Sequence, residues 1–124
     1  MNSDMFVRTW ANAYNDQDFD RFGELYTDDT TYECGPFGLA FTGRDAFVRH
    51  LREYAGAVPD RKFTIKRIIA DGDAVAVEYG FAGTSSGAHP GLPPAGEAVT
   101  AGFCSVLRLR GDRIASQTDY LGGQ

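Results

Sequence analysis

"KFTIKRIIADGDAVAVEYGFAG", Lys62 to Gly83, is the stretch that decides the fold. Two runs rich in β-branched and aromatic residues flank Asp71-Gly72, a dipeptide suited to a tight turn between antiparallel strands. In the second run Tyr79 falls on one face, while Glu78 shares the other with Ala74, Ala76, Gly80 and Ala82. In the first run Arg61-Lys62 and Lys66-Arg67 alternate with Phe63, Ile65 and Ile68, which reads as a strand with one wet face. The pattern is a hairpin with one face for a core and one of small side chains.

Downstream, "TSSGAHPGLPPAGE" (84–97) is too rich in Gly, Pro and Ser for a central strand and is expected to be a long loop. "AVTAGFCSVLRLR" then turns at Gly111-Asp112 into "RIASQTDYL", a second hairpin. Upstream the period changes to that of helices. Phe6, Val7, Trp10, Ala11, Ala13 and Tyr14 form one broad face, behind Ser3 or Asp4 as cap. Asp18 or Asp20 starts a short second helix carrying Phe19, Phe22, Leu25 and Tyr26, which "TDD" is expected to end. "TTYEC" alternates as a short strand, with Thr30, Tyr32 and Cys34 on one face. "GPFG" makes a turn, and a third helix after Thr42-Gly43 presents Ala46, Phe47, His50, Leu51 and Tyr54. The sum is a single α+β domain spanning 1–124, three helices packed on one face of a curved antiparallel sheet.

The chain is 43% hydrophobic with a formal net charge of -5. No basic stripe suits a phosphate backbone, so nucleic acid is not an expected partner. No apolar run reaches membrane-spanning length, and the first residues lack the pattern of an export signal, so no membrane role and a cytoplasmic location are expected. Cys34 and Cys104 lack metal-type spacing and are expected to stay reduced. No metal site and no cofactor are expected, since neither a ligand cluster nor a glycine-rich phosphate loop is present. Sixteen aromatics, from one Trp, six Tyr and nine Phe, are enough to fill a core and to line a pocket for a flat organic ligand.

The order of elements resembles the nuclear-transport-factor-2-like superfamily, which includes ketosteroid isomerase, and within it the SnoaL-like polyketide cyclases. The resemblance rests on Trp10 in the first helix, "LYTDDTTYE", "GRDAF", "ADGDAVAVEY", "GLPPAG" and the closing "GDRI....DY". It implies a cone-shaped fold enclosing a small-molecule pocket, pairing as a homodimer through the outer sheet face. It also implies a general acid/base role for Asp119, the carboxylate of the final "DY". The residues alone leave Asp119 open between a solvated strand end and a working group. Two departures narrow the chemistry. Where limonene epoxide hydrolases carry an inward Arg and Asp, this chain has Tyr79 and Phe81, and the Asn beside their inward Tyr is Cys34. The Tyr and Asp positions used by ketosteroid isomerases hold Trp10 and Cys34.

The expected catalytic set is therefore Asp119 with Tyr32 and His50. Trp10, Tyr14, Cys34, Phe47, Tyr54, Tyr79, Phe81, Phe103 and Gln117 are the expected substrate-binding residues. Each tyrosine is open between core filling and a cavity wall, and His50 between a packed stripe margin and a second proton carrier. The activity implied is cyclisation, isomerisation or dehydration of a small hydrophobic, polyketide-like or polycyclic substrate. A non-catalytic binding protein and an epoxide-opening enzyme are the alternatives.

Overall fold

The computed structural model describes residues 2–122. Helix α1 (Ser3–Asn15) buries Phe6, Val7, Trp10, Ala11, Ala13 and Tyr14, the face its periodicity indicates. Its cap is Asn2 rather than Ser3 or Asp4, with the Asn2 side chain accepting from Met5 N at 3.2 Å. Helix α2 (Phe19–Glu24) starts on Asp18, which accepts from the Arg21 amide.

Strand β1 (Tyr26–Cys34) begins earlier than "TTYEC" suggests. Tyr26 opens the strand instead of closing the helix, and Thr27 is buried beside it. Asp28 and Asp29 are both exposed because the pairing slips between Tyr26 and Thr31. A bulge of this kind hides the strand from period-2 reasoning. A single 3-10 turn (Gly35–Phe37) ends at Gly38, whose φ of 64° is a left-handed conformation that favours glycine. Strand β2 (Leu39–Thr42), unforeseen in the sequence, folds back antiparallel on β1. Helix α3 (Arg44–Ala57) follows, and then β3 (Lys62–Asp71), β4 (Ala74–Thr84), β5 (Ala98–Arg110) and β6 (Arg113–Gly122).

The six strands form one curved, unclosed sheet in the order β2-β1-β6-β5-β4-β3. It is mixed, not wholly antiparallel, because β1 and β6 run parallel while every other neighbouring pair is antiparallel. The hairpins fix the directions of β3 to β6 among themselves. Nothing in their turn chemistry fixes how the separate β1–β2 hairpin docks on the free edge of β6. Along β4, Val75, Val77, Tyr79 and Phe81 are buried while the intervening residues face outward. Helices α1 and α3 cover the inner face, α1 against β3 and α3 against β1. The core between these layers is strongly aromatic. Trp10 is fully buried with its ring 5.2 Å from Phe63, and Tyr14 stacks on Phe63 at 3.7 Å.

Among the described residues no helix is long and apolar enough to cross a membrane.

Candidate active site

The concave sheet face and the helices enclose a cavity of about 400 Å³, a volume suited to a small organic ligand. Asp119 lines it and is only 6% exposed. A frayed, solvated strand end is therefore the wrong description of this carboxylate. It is inward because Gln117 and Asp119 share the inner face of β6, whereas Tyr120 points out and is exposed.

Three donors meet Asp119. Ser105, directly opposite on β5, donates its Oγ–H to Oδ1 at 2.5 Å. Gln117 donates Nε2–H to the same oxygen at 2.9 Å. Tyr32, from β1, donates its phenol to Oδ2 at 2.6 Å. Tyr79 on β4 lies 2.8 Å from Ser105, and since Ser105 spends its proton on Asp119, Tyr79 is the donor of that pair. An ionised carboxylate has about two acceptor sites per oxygen. Oδ1 is filled by Ser105 and Gln117, and Oδ2 keeps one open.

Burial pushes the Asp119 carboxyl above the ordinary carboxylate range, while the bonds from Ser105, Tyr32 and Gln117 hold it down. No lysine, no arginine and no second carboxylate lines the cavity among the described residues. The groups that moderate the charge are therefore neutral donors. Burial likewise raises the Tyr32 phenol far above its usual range, with the Asp119 charge adding to the effect. Tyr79 and Tyr14 are also shifted up by burial, although the Arg61 guanidinium beside Tyr14 opposes the shift there. All three phenols stay protonated, and Tyr32 and Tyr79 act as donors.

The other expected site residues fall in two groups. Trp10, Tyr14, Tyr79, Phe81 and Phe103 line the cavity from α1 and the sheet, and Phe47, His50 and Tyr54 from α3. The His50 ring lies 4.9 Å from Phe41, and burial lowers its pKa, so it is neutral at neutral pH. It does not hydrogen-bond to Asp119, whose partners are Ser105, Gln117 and Tyr32. Cys34 is the exception. It is fully buried but outside the lining, and Phe37 and Leu39 occupy that part of the wall. Phe37 belongs to the 3-10 turn after Cys34 and Leu39 opens β2, so the lining is taken up by the residues that follow the cysteine.

Sequence reasoning missed Ser105, Tyr26 and His89. Ser105 stands on the inner face of β5, and a small polar residue amid "GFCSVLRL" gave a signal only once its partner on β6 was known. Tyr26 was hidden by the misplaced end of α2. His89, Gly91 and Leu92 come from the loop at 85–97, which the structure lays along the cavity.

Solved structures with this architecture are numerous. IdmH of Streptomyces antibioticus, assigned as a polyketide cyclase, superposes with a TM-score of 0.84 at 22% identity, over 98% of this chain and 92% of that one. A Catenulispora acidiphila protein with a ketosteroid isomerase-like fold, solved with trimethylamine, gives 0.82 at 26% identity over 96% and 86%. TsrD of Streptomyces laurentii gives 0.80 at 19% identity over 95% and 86%. Among curated proteins none matches the sequence. The sequence does match the SnoaL-like domain over residues 7–117, a segment that contains Tyr32, Ser105 and Gln117 and stops two residues short of Asp119. With that match and the ketosteroid isomerase-like architecture around one buried carboxylate, the chain belongs to the SnoaL-like domain family.

Proposed function

We propose that the protein is a cofactor-independent acid/base enzyme acting on a small hydrophobic, polyketide-like or polycyclic ketone. The observation that carries this reading is Asp119, a buried carboxylate on the wall of an aromatic-lined cavity, with three donors and one unfilled acceptor site on Oδ2. A carboxyl raised by desolvation is better matched to proton transfer near neutral pH than one in water. In the forward step Oδ2 removes a proton from a carbon next to the carbonyl. The C–H electron pair becomes the enolate, and Asp119 becomes the neutral acid. Once Oδ2 carries that proton, the Tyr32 hydroxyl is free to turn and donate to the enolate oxygen. His50, also on the wall, supplies a neutral imidazole for the same oxygen or for a leaving hydroxyl. Return of the proton to another carbon gives isomerisation. Attack of the enolate on a second carbonyl gives ring closure, and loss of a β-hydroxyl gives dehydration.

The assignment of related structures as a polyketide cyclase supports the substrate class. We further propose a cytoplasmic location and a homodimer joined through the outer face of the sheet, a reading supported for the dimer by the exposed Ile69 and Tyr120 on that face.

The test is deuterium exchange into the carbon between the ring and the carbonyl of 2-tetralone, a two-ring ketone of suitable size. Wild-type protein is expected to accelerate exchange. Asp119→Asn is expected to bind the ketone equally and to exchange about 10²–10⁴-fold more slowly. Equal exchange by both proteins would sink the proposal.

A further inference from the structure

The donors on Asp119 are the end of a longer chain. Trp10 Nε1 lies 3.0 Å from the Tyr26 hydroxyl, the Tyr26 hydroxyl lies 2.5 Å from Gln117 Oε1, and Gln117 Nε2 lies 2.9 Å from Asp119 Oδ1. Trp10 and Tyr26 are fully buried and Gln117 is nearly so. An indole N–H can only donate. Tyr26 must therefore accept from Trp10, which sends its own proton to Gln117. That in turn holds the Gln117 carbonyl toward Tyr26 and the amide N–H₂ toward Asp119. Turning the amide over would set two acceptor oxygens face to face at Asp119. It would also leave the Tyr26 proton without a partner, a cost of the kind that buried polar groups avoid.

We propose that Tyr26 is a positioning residue, which by fixing the Gln117 amide fills Asp119 Oδ1 and leaves Oδ2 as the oxygen that exchanges a proton with substrate. The inference rests on the acid/base reading of Asp119, and its test needs no substrate, so either can fail alone. The groups around the carboxylate do not supply the effect by other means. Helix α1 contributes Trp10 and Tyr14, β1 contributes Tyr26, Tyr32 and Cys34, and β4 contributes Tyr79. Cys104 lies on the far face of β5, while α3 brings His50 and Tyr54 to the wall and the loop brings His89. Ser105, Tyr32 and Gln117 touch the carboxylate, and Gln117 is the one amide among them, whose donor and acceptor ends trade places when it turns over.

The experiment is a pH titration of the Asp119 carboxyl by carbon-13 NMR, the resonance identified by its loss in Asp119→Asn. Tyr26→Phe keeps the ring and deletes the relay. Gln117→Met keeps the length and deletes the donor. Each is expected to raise the proton affinity of Asp119 by about tenfold, the worth of one hydrogen bond to a charged group. The double variant is expected to match the larger single change, because both act through one bond. Unchanged titration in Tyr26→Phe, or additive shifts in the double variant, would overturn the proposal. If Tyr26→Phe does not fold, the wild-type Gln117 side-chain amide decides. Slow exchange of its protons with solvent is expected, and rapid exchange of both would overturn the proposal.

Discussion

Ser105 and Asp119 are directly opposed across β5 and β6, and the serine proton points at Oδ1 over 2.5 Å. The same serine accepts from Tyr79, so it joins the phenol of one strand to the carboxylate of another.

Ser105→Ala therefore removes a donor from the carboxylate and orphans the buried Tyr79 hydroxyl. The expected cost is about 1–3 kcal/mol of folding free energy. The Asp119 titration is expected to move to higher pH. Chemical denaturation and the carboxyl titration measure the two effects separately, and a variant as stable as wild type would contradict the first.

The raised carboxyl also predicts how stability depends on pH. Because the folded-state value lies above the ordinary 3.8, the contribution of Asp119 to stability is fully present below that pH and is lost as pH rises through the folded value. At neutral pH the buried charge weighs against the fold. Asp119→Asn is expected to melt at a higher temperature than wild type at pH 7, with the gap closing toward pH 4. His50, whose pKa burial lowers, makes both proteins less stable in acid and cancels from the difference. A gap that widens on acidification would contradict the sign.

Gly83 is held by closeness rather than by turn geometry. A Cβ there would stand 2.3 Å from Val58 Cγ1 and 3.1 Å from the Arg61 Cα. Gly83→Ala is expected to cost about 1–3 kcal/mol, the usual effect of overpacking, measured as a shift in the denaturation midpoint. Gly80→Ala provides the control, since its nearest contact is the flexible end of Lys66 at 3.9 Å.

The loop between β4 and β5 is tied to neighbouring elements at its base, while its tip hydrogen-bonds within the loop. Ser85 is buried, donating its amide to Glu97 O and its hydroxyl to Pro93 O, while Ser86 binds Ala57 O and Gly56 O. His89, Gly91 and Leu92 reach the cavity. Ligand binding is expected to slow amide hydrogen exchange at residues 88–92 and to leave Ser85 and Ser86 unchanged. Uniform protection across the loop would show that the base moves as well.

On the outer sheet face Arg67, Glu78, Cys104 and Tyr120 form one row, and Ile69, Ala76, Val106 and Thr118 another. Ile69 and Tyr120 are largely exposed. Covering them is a reason for two chains to pair. Sedimentation at micromolar concentration is expected to show a dimer, and Tyr120→Glu is expected to shift it toward monomer. A wild-type monomer would contradict the pairing.

The β4 alternation and the two turn dipeptides made the sheet legible, because period-2 burial and tight turns are local properties. The α1 face was legible for the same reason at period 3.6. What escaped was non-local. The parallel docking of β1 on β6, the bulge that prolongs β1, and the brief β2 strand depend on partners distant in the chain. The site divides along that line. Asp119, Tyr32 and Gln117 were reached through the family resemblance and strand parity. Ser105 and Tyr26 owe their places to register and to a helix end, which a single sequence reveals poorly.

The polar chain from Trp10 to Asp119 draws together the first helix, the first strand and the last strand. Such contacts have the largest loop closures to overcome and come late in folding. The carboxylate is thus expected to be sealed into the aromatic interior only after the β3–β6 meander has formed and β1 has docked on it. A nascent chain lacking β6 has no site at all. Conversely, release of β1 alone would open the cavity to water while most of the sheet stayed intact. The expected refolding record is early burial of the β3–β4 hairpin, followed by slower quenching or shift of Trp10 fluorescence as the tyrosine and glutamine close around it.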